Sequence, residues 1–278
     1  MGLGEIVMTD LMIMKYMASN RRPWTMGYGE YREKVISNKL NSKELLNSFL
    51  HNKPLPAKYG FRIDERIVEY PWLFSRLGVE QNMLLDAGSA LNHKSILDLP
   101  ALKNRFVIMY NLSVENIFKS AKISYVYGDL RNTILKDGIF NEIVCISTLE
   151  HIGMDNTFIY SKNEHFNESR VDDYKIAIKE FKRLLKPGGK LFITVPYGCY
   201  ENHGWLQQFD CNMVQRVLQS FNGSTSDVVY YKYFFDGWQI TDSEECMDSS
   251  YFNIYDRTDY EPDYVAAARS VACIEMVK

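Results

Sequence analysis

Between Met83 and Pro196 the chain alternates short apolar runs with helix-like stretches. The runs MLLDAG, FVIMYNL, SYVYGD, EIVCIS and KLFITVP have the length and the β-branched and aromatic content of buried strands. Between the last two, Tyr174, Ile178, Phe181 and Leu185 recur on one face of a 3.6-residue period and predict a helix over about 168–186. Pro187-Gly188-Gly189 should stop it, with glycine in a left-handed cap. Strands alternating with helices make βαβ units and hence a parallel sheet.

The flanks read differently. The first fifty residues predict helices at about 10–19, 27–38 and 42–50, the last capped by Ser42. Residues 51–60, with Pro54, Pro56 and Gly60, form a connection, and 64–77 predicts a helix bent near Pro71. Beyond 198 we expect a helix near 210–221, a turn at Asn222-Gly223-Ser224, and strands near 227–235 and 270–277. The domain reading is a helical extension or lid over 1–60 and a main domain over 61–278, divided into halves at 64–198 and 199–278.

Composition narrows the function classes. The 278 residues are 46% apolar and carry a net charge of −3, which gives no general attraction to nucleic acid or anionic lipid. The five cysteines are scattered, without a CxxC pair or metal-ligand spacing, and suit a reducing compartment, read here as the cytoplasm. The first residues lack a basic n-region and carry Asp10 and Lys15, so neither a signal peptide nor a membrane span is expected. Gly2 is not followed by the Ser or Thr of a myristoylation signal, since Ile6 stands there. The 19 Tyr and 15 Phe exceed what a core requires, and many of these rings fall after Tyr197, where they would line an acceptor pocket or pack a strand face.

In a doubly wound sheet, ligands bind at the carboxyl ends of the strands. Those ends read Asp86-Ala87-Gly88-Ser89-Ala90, then Gly128-Asp129-Leu130, then Ser147-Thr148-Leu149-Glu150-His151, followed by Leu185-Lys186-Pro187-Gly188-Gly189 leading into the last strand. In this order the segments resemble the class I S-adenosylmethionine-dependent methyltransferases, of the type 11-like kind, over about 64–198. The resemblance implies a Rossmann-like, doubly wound, seven-stranded and mostly parallel sheet, with S-adenosylmethionine as cofactor. It also implies that Asp86, Gly88 and Ser89 hold the methionine end, Asn111 stands at the ribose, Asp129 and Leu130 frame the adenine, and Ser147 and Thr148 border the cofactor. Similarity to bacterial glycan-modifying members implies a small-molecule or carbohydrate acceptor, first a sugar hydroxyl, with an amine or phenol, or a non-catalytic binding module, as alternatives.

The chain departs from that family at three positions. Ala90 and Asn92 replace the second and third glycines of D-x-G-x-G-x-G, with Asn92 able to keep a left-handed turn. Asn111 replaces the ribose-binding carboxylate, for which Glu115 is a possible substitute unless it is an exposed helix residue. Gly88, Ala90 and His93 do not match a dinucleotide G-x-G-x-x-G, which argues against a nicotinamide enzyme. For catalysis the candidates are His151, as the base for an alcohol acceptor, and Glu150 beside it; the alternative is a structural turn in which Glu150 caps and His151 pairs with backbone. His93 would touch the methionine carboxylate or cap the next helix. The loop 21–29 would cover the site or dock the first helices, and the acidic stretch 242–263 would be solvated rather than metal-binding, so no metal site is expected.

Overall fold

The computed structural model describes residues 3–160, 164–257 and 259–278; Gly2 lies outside them. Four helices come first: α1 (Leu3–Ala18), α2 (Tyr28–Leu40), α3 (Lys43–Leu50) and α4 (Arg66–Arg76). Then follow β1 (Met83–Ala87), the one-turn helices α5 (Lys94–Leu97) and α6 (Pro100–Lys103), β2 (Phe106–Asn111), β3 (Ile123–Tyr127), β4 (Phe140–Ile146), α7 (Tyr174–Leu184) and β5 (Leu185–Pro196). The last part holds a two-residue ladder of β6 (Glu201–Asn202) and β7 (Gln207–Gln208), then α8 (Cys211–Phe221), β8 (Thr225–Phe234), β9 (Gly237–Thr241), α9 (Ser243–Cys246) and β10 (Ser270–Val277).

The main sheet has the order β3-β2-β1-β4-β5-β10-β8-β9. Its first five strands are parallel, and β10, β8 and β9 continue it antiparallel. The expectation of seven strands is therefore corrected to eight. The additional strand, β9, is formed by a tight hairpin in which Phe234 pairs with Gly237. Chain order reverses between β1 and β4, and this opens a crevice at their carboxyl ends.

The inner strands β1, β4 and β10, and the second half of β5, are buried on both faces, with alternate residues serving two cores. Leu84, Val144 and Phe192 pack with Ile36, Phe49, Val68 and Trp72 of the amino-terminal helices. Leu85, Ile143, Leu191 and Ile193 pack with Ile178, Phe181 and Leu184 of α7 and with Val214 and Val217 of α8. Helix α4 runs through Pro71, which has no N–H to give the Ile67 carbonyl. The Tyr59 hydroxyl donates to that carbonyl instead, at 2.7 Å.

Two local expectations fail. Helix α7 ends at Leu184 without a left-handed cap; Leu185 is extended and already pairs with Phe140, so Gly188, at φ 72, lies inside the β5 span. The loop after β1 takes its positive φ values at Gly88, 101, and Ser89, 57, and not at Asn92. The 21–29 loop makes docking contacts: Trp24 Nε1 donates to the Ala266 carbonyl and the Tyr260 hydroxyl donates to the Pro23 carbonyl. Among the described residues no helix is long and apolar enough to cross a membrane.

Candidate active site

The crevice at the switch point holds a pocket lined by Gly88, Asn111, Asp129, Leu130, Thr148 and His151, one or more from the end of each of β1 to β4. Behind it Asp86 is fully buried, and its Oδ2 accepts from the Leu91 N–H at 2.8 Å, which fixes the loop over β1. Burial pushes this carboxyl up to about 7 against the backbone donors of Leu91 and Ala90. Its Oδ1 and the Ser89 hydroxyl are buried without partners. The Tyr70 hydroxyl of α4 ties the same loop by donating to the Ala90 carbonyl at 2.6 Å. At Gly88, with φ 101, a Cβ would lie 2.1 Å from the Thr148 hydroxyl oxygen, so glycine lets the two strand ends meet.

The other expected residues divide. Asn111 Oδ1 accepts from the Leu112 N–H at 2.9 Å and from the Tyr160 hydroxyl at 3.1 Å. Asp129 is bound by Arg131, which donates its Nη2 to Oδ2 at 2.6 Å and its backbone N–H to Oδ1 at 2.8 Å. Arg131 also holds Glu168 at 2.7 Å and Asp173 at 2.6 Å, pinning the segment before α7 to the end of β3. Glu115 is not on a helix, contrary to one of its two readings; it is half-buried and its Oε1 is enclosed without a partner.

Ser147, at φ 39, turns away from the pocket. Its hydroxyl and that of Thr194 donate to Glu69 Oε1 at 2.7 and 2.6 Å. Glu69, fully buried on α4, pairs through Oε2 with Arg66. Neither residue stood out in the sequence, although a carboxylate within the otherwise apolar stretch Ile67–Phe74 is a signal of a buried pair.

His151 lies 2.9 Å through Nδ1 from the Trp205 carbonyl, which only accepts, so Nδ1 carries the proton and Nε2 is the free acceptor. Burial lowers this imidazole to about 4, and it is neutral at ordinary pH. The structural reading of the turn is half met: His151 pairs with backbone, but Glu150 caps nothing. Glu150 is 3% exposed and its Oε2 has no partner, and burial raises this carboxyl well above the usual range. His93 occupies the cap position of α5 without a side-chain bond.

Of the rings from Tyr197 onward, read as lining an acceptor pocket or packing a strand face, Tyr197, Phe209, Tyr231, Tyr233 and Trp238 are core residues. The rings near His151 are Trp205, at 5.2 Å, and around it Phe158, Tyr251 and Tyr255. Among the described residues no group of three or more His, Cys, Asp or Glu could hold a metal ion.

Residues 107–193 match the family model of a methyltransferase domain. This is the stretch between the start of β2 and the end of β5, and the S-adenosylmethionine expected from the strand-end motifs agrees with it. No curated protein matches the chain. Solved structures that resemble it include a candidate methyltransferase of Bacillus halodurans C-125, at 14% identity, 74% of this chain and 96% of that one, with a TM-score of 0.45. A second is the 1,6-didemethyltoxoflavin-N1-methyltransferase of Burkholderia thailandensis, at 13% identity, 72% of each chain and a TM-score of 0.41. A third, an S-adenosylmethionine-dependent methyltransferase of Methanosarcina mazei, has 12% identity, 73% and 96% coverage and a TM-score of 0.43. At these distances nothing about substrate passes to this chain.

Proposed function

We propose that this protein is an S-adenosylmethionine-dependent methyltransferase acting on a small molecule. The observation that carries the reading is the convergence of residues from four strand ends, Gly88, Asn111, Asp129 with Leu130, and Thr148, on one pocket at the switch point. The methyltransferase-domain match over 107–193 supports it independently. When bound, S-adenosylmethionine supplies an electrophilic methyl group on a sulfonium.

The residues present suit such a cofactor. The loop held by Asp86, with the unpartnered Ser89 hydroxyl, would receive the methionine end. Asn111 would face the ribose with Glu115, whose enclosed and unpartnered Oε1 makes it the carboxylate that the end of β2 lacks. Leu130 would pack on the adenine. Asp129 retains little free acceptor capacity beside Arg131, so we assign it first to holding Arg131 and second to the adenine amine. The segment 1–60 as a cover over the cleft, and the division of 61–278 into cofactor and acceptor halves, belong to the same proposal.

A sugar hydroxyl with His151 as base was the finer expectation. An imidazole lowered to about 4 is a weak base for an alcohol, and the role that its geometry supports is to accept a hydrogen bond through Nε2 and so orient the acceptor. Half of the ten rings between Tyr197 and Trp238 that suggested a sugar are core. The test is to incubate the protein with S-adenosylmethionine and a panel of nucleotide sugars, alcohols, phenols and amines, reading S-adenosylhomocysteine release and product mass. Methyl transfer to one of these classes is expected; tight cofactor binding with no turnover on any would favour the binding module.

His151 also gives a stability prediction. Its folded value lies below the usual 6.5, so the unfolded chain takes up a proton first as the pH falls. The stabilisation is complete above about pH 6.5 and is lost on going down through about pH 4. Urea titrations at pH 7 and pH 4.5 should show a drop in stability that is smaller in His151→Gln; an equal drop in both proteins would contradict the burial of this ring.

A further inference from the structure

Beside the pocket, next to His151 and Thr148, stand Glu150 of the turn after β4 and the half-buried rings of Trp205 and Tyr251. Four carboxyl groups are linked by the charges they exert on one another: Asp64 and Glu65 just before α4, Glu69 in its first turn, and Glu150 from the turn after β4. Only two are matched by cations. Arg32 pairs with Asp64 at 2.6 Å, and Arg66 pairs with Glu69. Glu65 is half-buried, and its Oε2 accepts from the Ala268 N–H at 3.2 Å. Glu150 Oε2 is enclosed and has no partner, and its carboxyl lies close enough to Glu65, Glu69 and Arg66 to feel their charges. Burial and the neighbouring Asp64 and Glu69 raise Glu65 to about 8. Among the described residues this group thus holds two more carboxyl groups than cations.

The rest of the wall is aromatic. Tyr251 stands within range of the Glu65 and Glu150 charges, Trp205 lies 6.4 Å from Tyr251 and 5.2 Å from His151, and the Trp205 Nε1–H is buried without an acceptor. The Tyr251 N–H donates to Glu201 at 2.8 Å, and His203 is 3.1 Å from the same Glu201 oxygen, which anchors this edge. Aromatic faces and unmatched carboxylates both attract an ammonium group and give a neutral hydroxyl no comparable advantage.

We propose that the acceptor is a small cationic amine that carries an apolar or aromatic group, with Glu65 and Glu150 holding its ammonium and Trp205 and Tyr251 covering its apolar part. This deepens the methyltransferase reading and rests on it. As the ammonium enters, a carboxyl that was protonated in the empty cleft releases its proton to solvent and forms the ion pair. It then takes one proton from the ammonium. The freed nitrogen lone pair forms the bond to the methyl carbon, the carbon–sulfur pair stays with sulfur, and the product leaves as the methylated ammonium. His151 Nε2 accepts from a remaining N–H.

The test is calorimetry of the full chain saturated with S-adenosylhomocysteine, titrated with 2-phenylethylamine and with its uncharged counterpart 2-phenylethanol. The amine should bind at least tenfold more tightly than the alcohol. Glu65→Gln and Glu150→Gln should each narrow that preference at least fivefold, while S-adenosylhomocysteine affinity stays within twofold and shows that the fold is intact. Equal binding of the two probes, binding of neither with S-adenosylhomocysteine in place, or a preference that survives both substitutions overturns the acceptor class. Failure of S-adenosylhomocysteine itself to bind instead overturns the methyltransferase reading beneath it.

Discussion

Glu69→Ala should cost about 3–5 kcal/mol of folding stability, the range for removing one partner of a buried ion pair. Glu69 is 0% exposed and its two oxygens take bonds from three sides: Ser147, Thr194 and Arg66. Alanine would leave the Arg66 guanidinium and two hydroxyls without their acceptor in a place that water reaches poorly. The consequence extends to the site, because Ser147 is held at φ 39 beside Thr148, which lines the pocket. Glu69→Gln keeps an acceptor for the hydroxyls and should cost less, about 1.5–3 kcal/mol, the worth of hydrogen bonds to a charged group. Urea denaturation measures both, and a loss below about 1 kcal/mol for the alanine variant, the scale of an exposed pair, would contradict the buried network.

Gly88→Ala should weaken S-adenosylhomocysteine binding about a hundredfold, which corresponds to about 2.8 kcal/mol. A side chain at φ 101 carries a conformational cost of about 1–2 kcal/mol. The new Cβ would also stand 2.1, 2.4 and 2.7 Å from the Oγ1, Cγ2 and Cβ of Thr148. Thr148 is not free to yield, since its hydroxyl donates to the Ile146 carbonyl at 3.0 Å. Displacing it closes the pocket where the ends of β1 and β4 face each other. Adding Thr148→Ala should relieve the effect only in part, because the Thr148 Cβ itself is too close. Affinity unchanged in Gly88→Ala would show that the ligand does not use this strand end.

The parallel half of the sheet was legible because its inner strands, buried on both faces, read as continuous apolar runs, and β3 at its edge keeps β-branched and aromatic residues. β9 was not, since five residues beside a longer strand carry little periodicity; Asp236-Gly237 was the turn signal that could have found it. At the site, residues at or within two positions of a strand end, such as Gly88, Asn111, Asp129 and Thr148, could be placed from sequence because topology puts strand ends together. Partners from elsewhere could not. Glu69 reaches Ser147 across 78 positions and Thr194 across 125, and Arg131 reaches Asp173 across 42. The same limit left the aromatic residues with two readings, pocket or strand face: composition counts rings, but only packing separates Trp205 beside His151 from Tyr231 and Trp238 in the core.

The most direct measurement is calorimetric titration of the purified chain with S-adenosylhomocysteine. The account predicts saturable one-to-one binding with a dissociation constant of about 1–100 μM, equivalent to about −8 to −5.5 kcal/mol, weakened strongly by Gly88→Ala. No heat of binding at millimolar ligand, from protein shown to be folded, would contradict it.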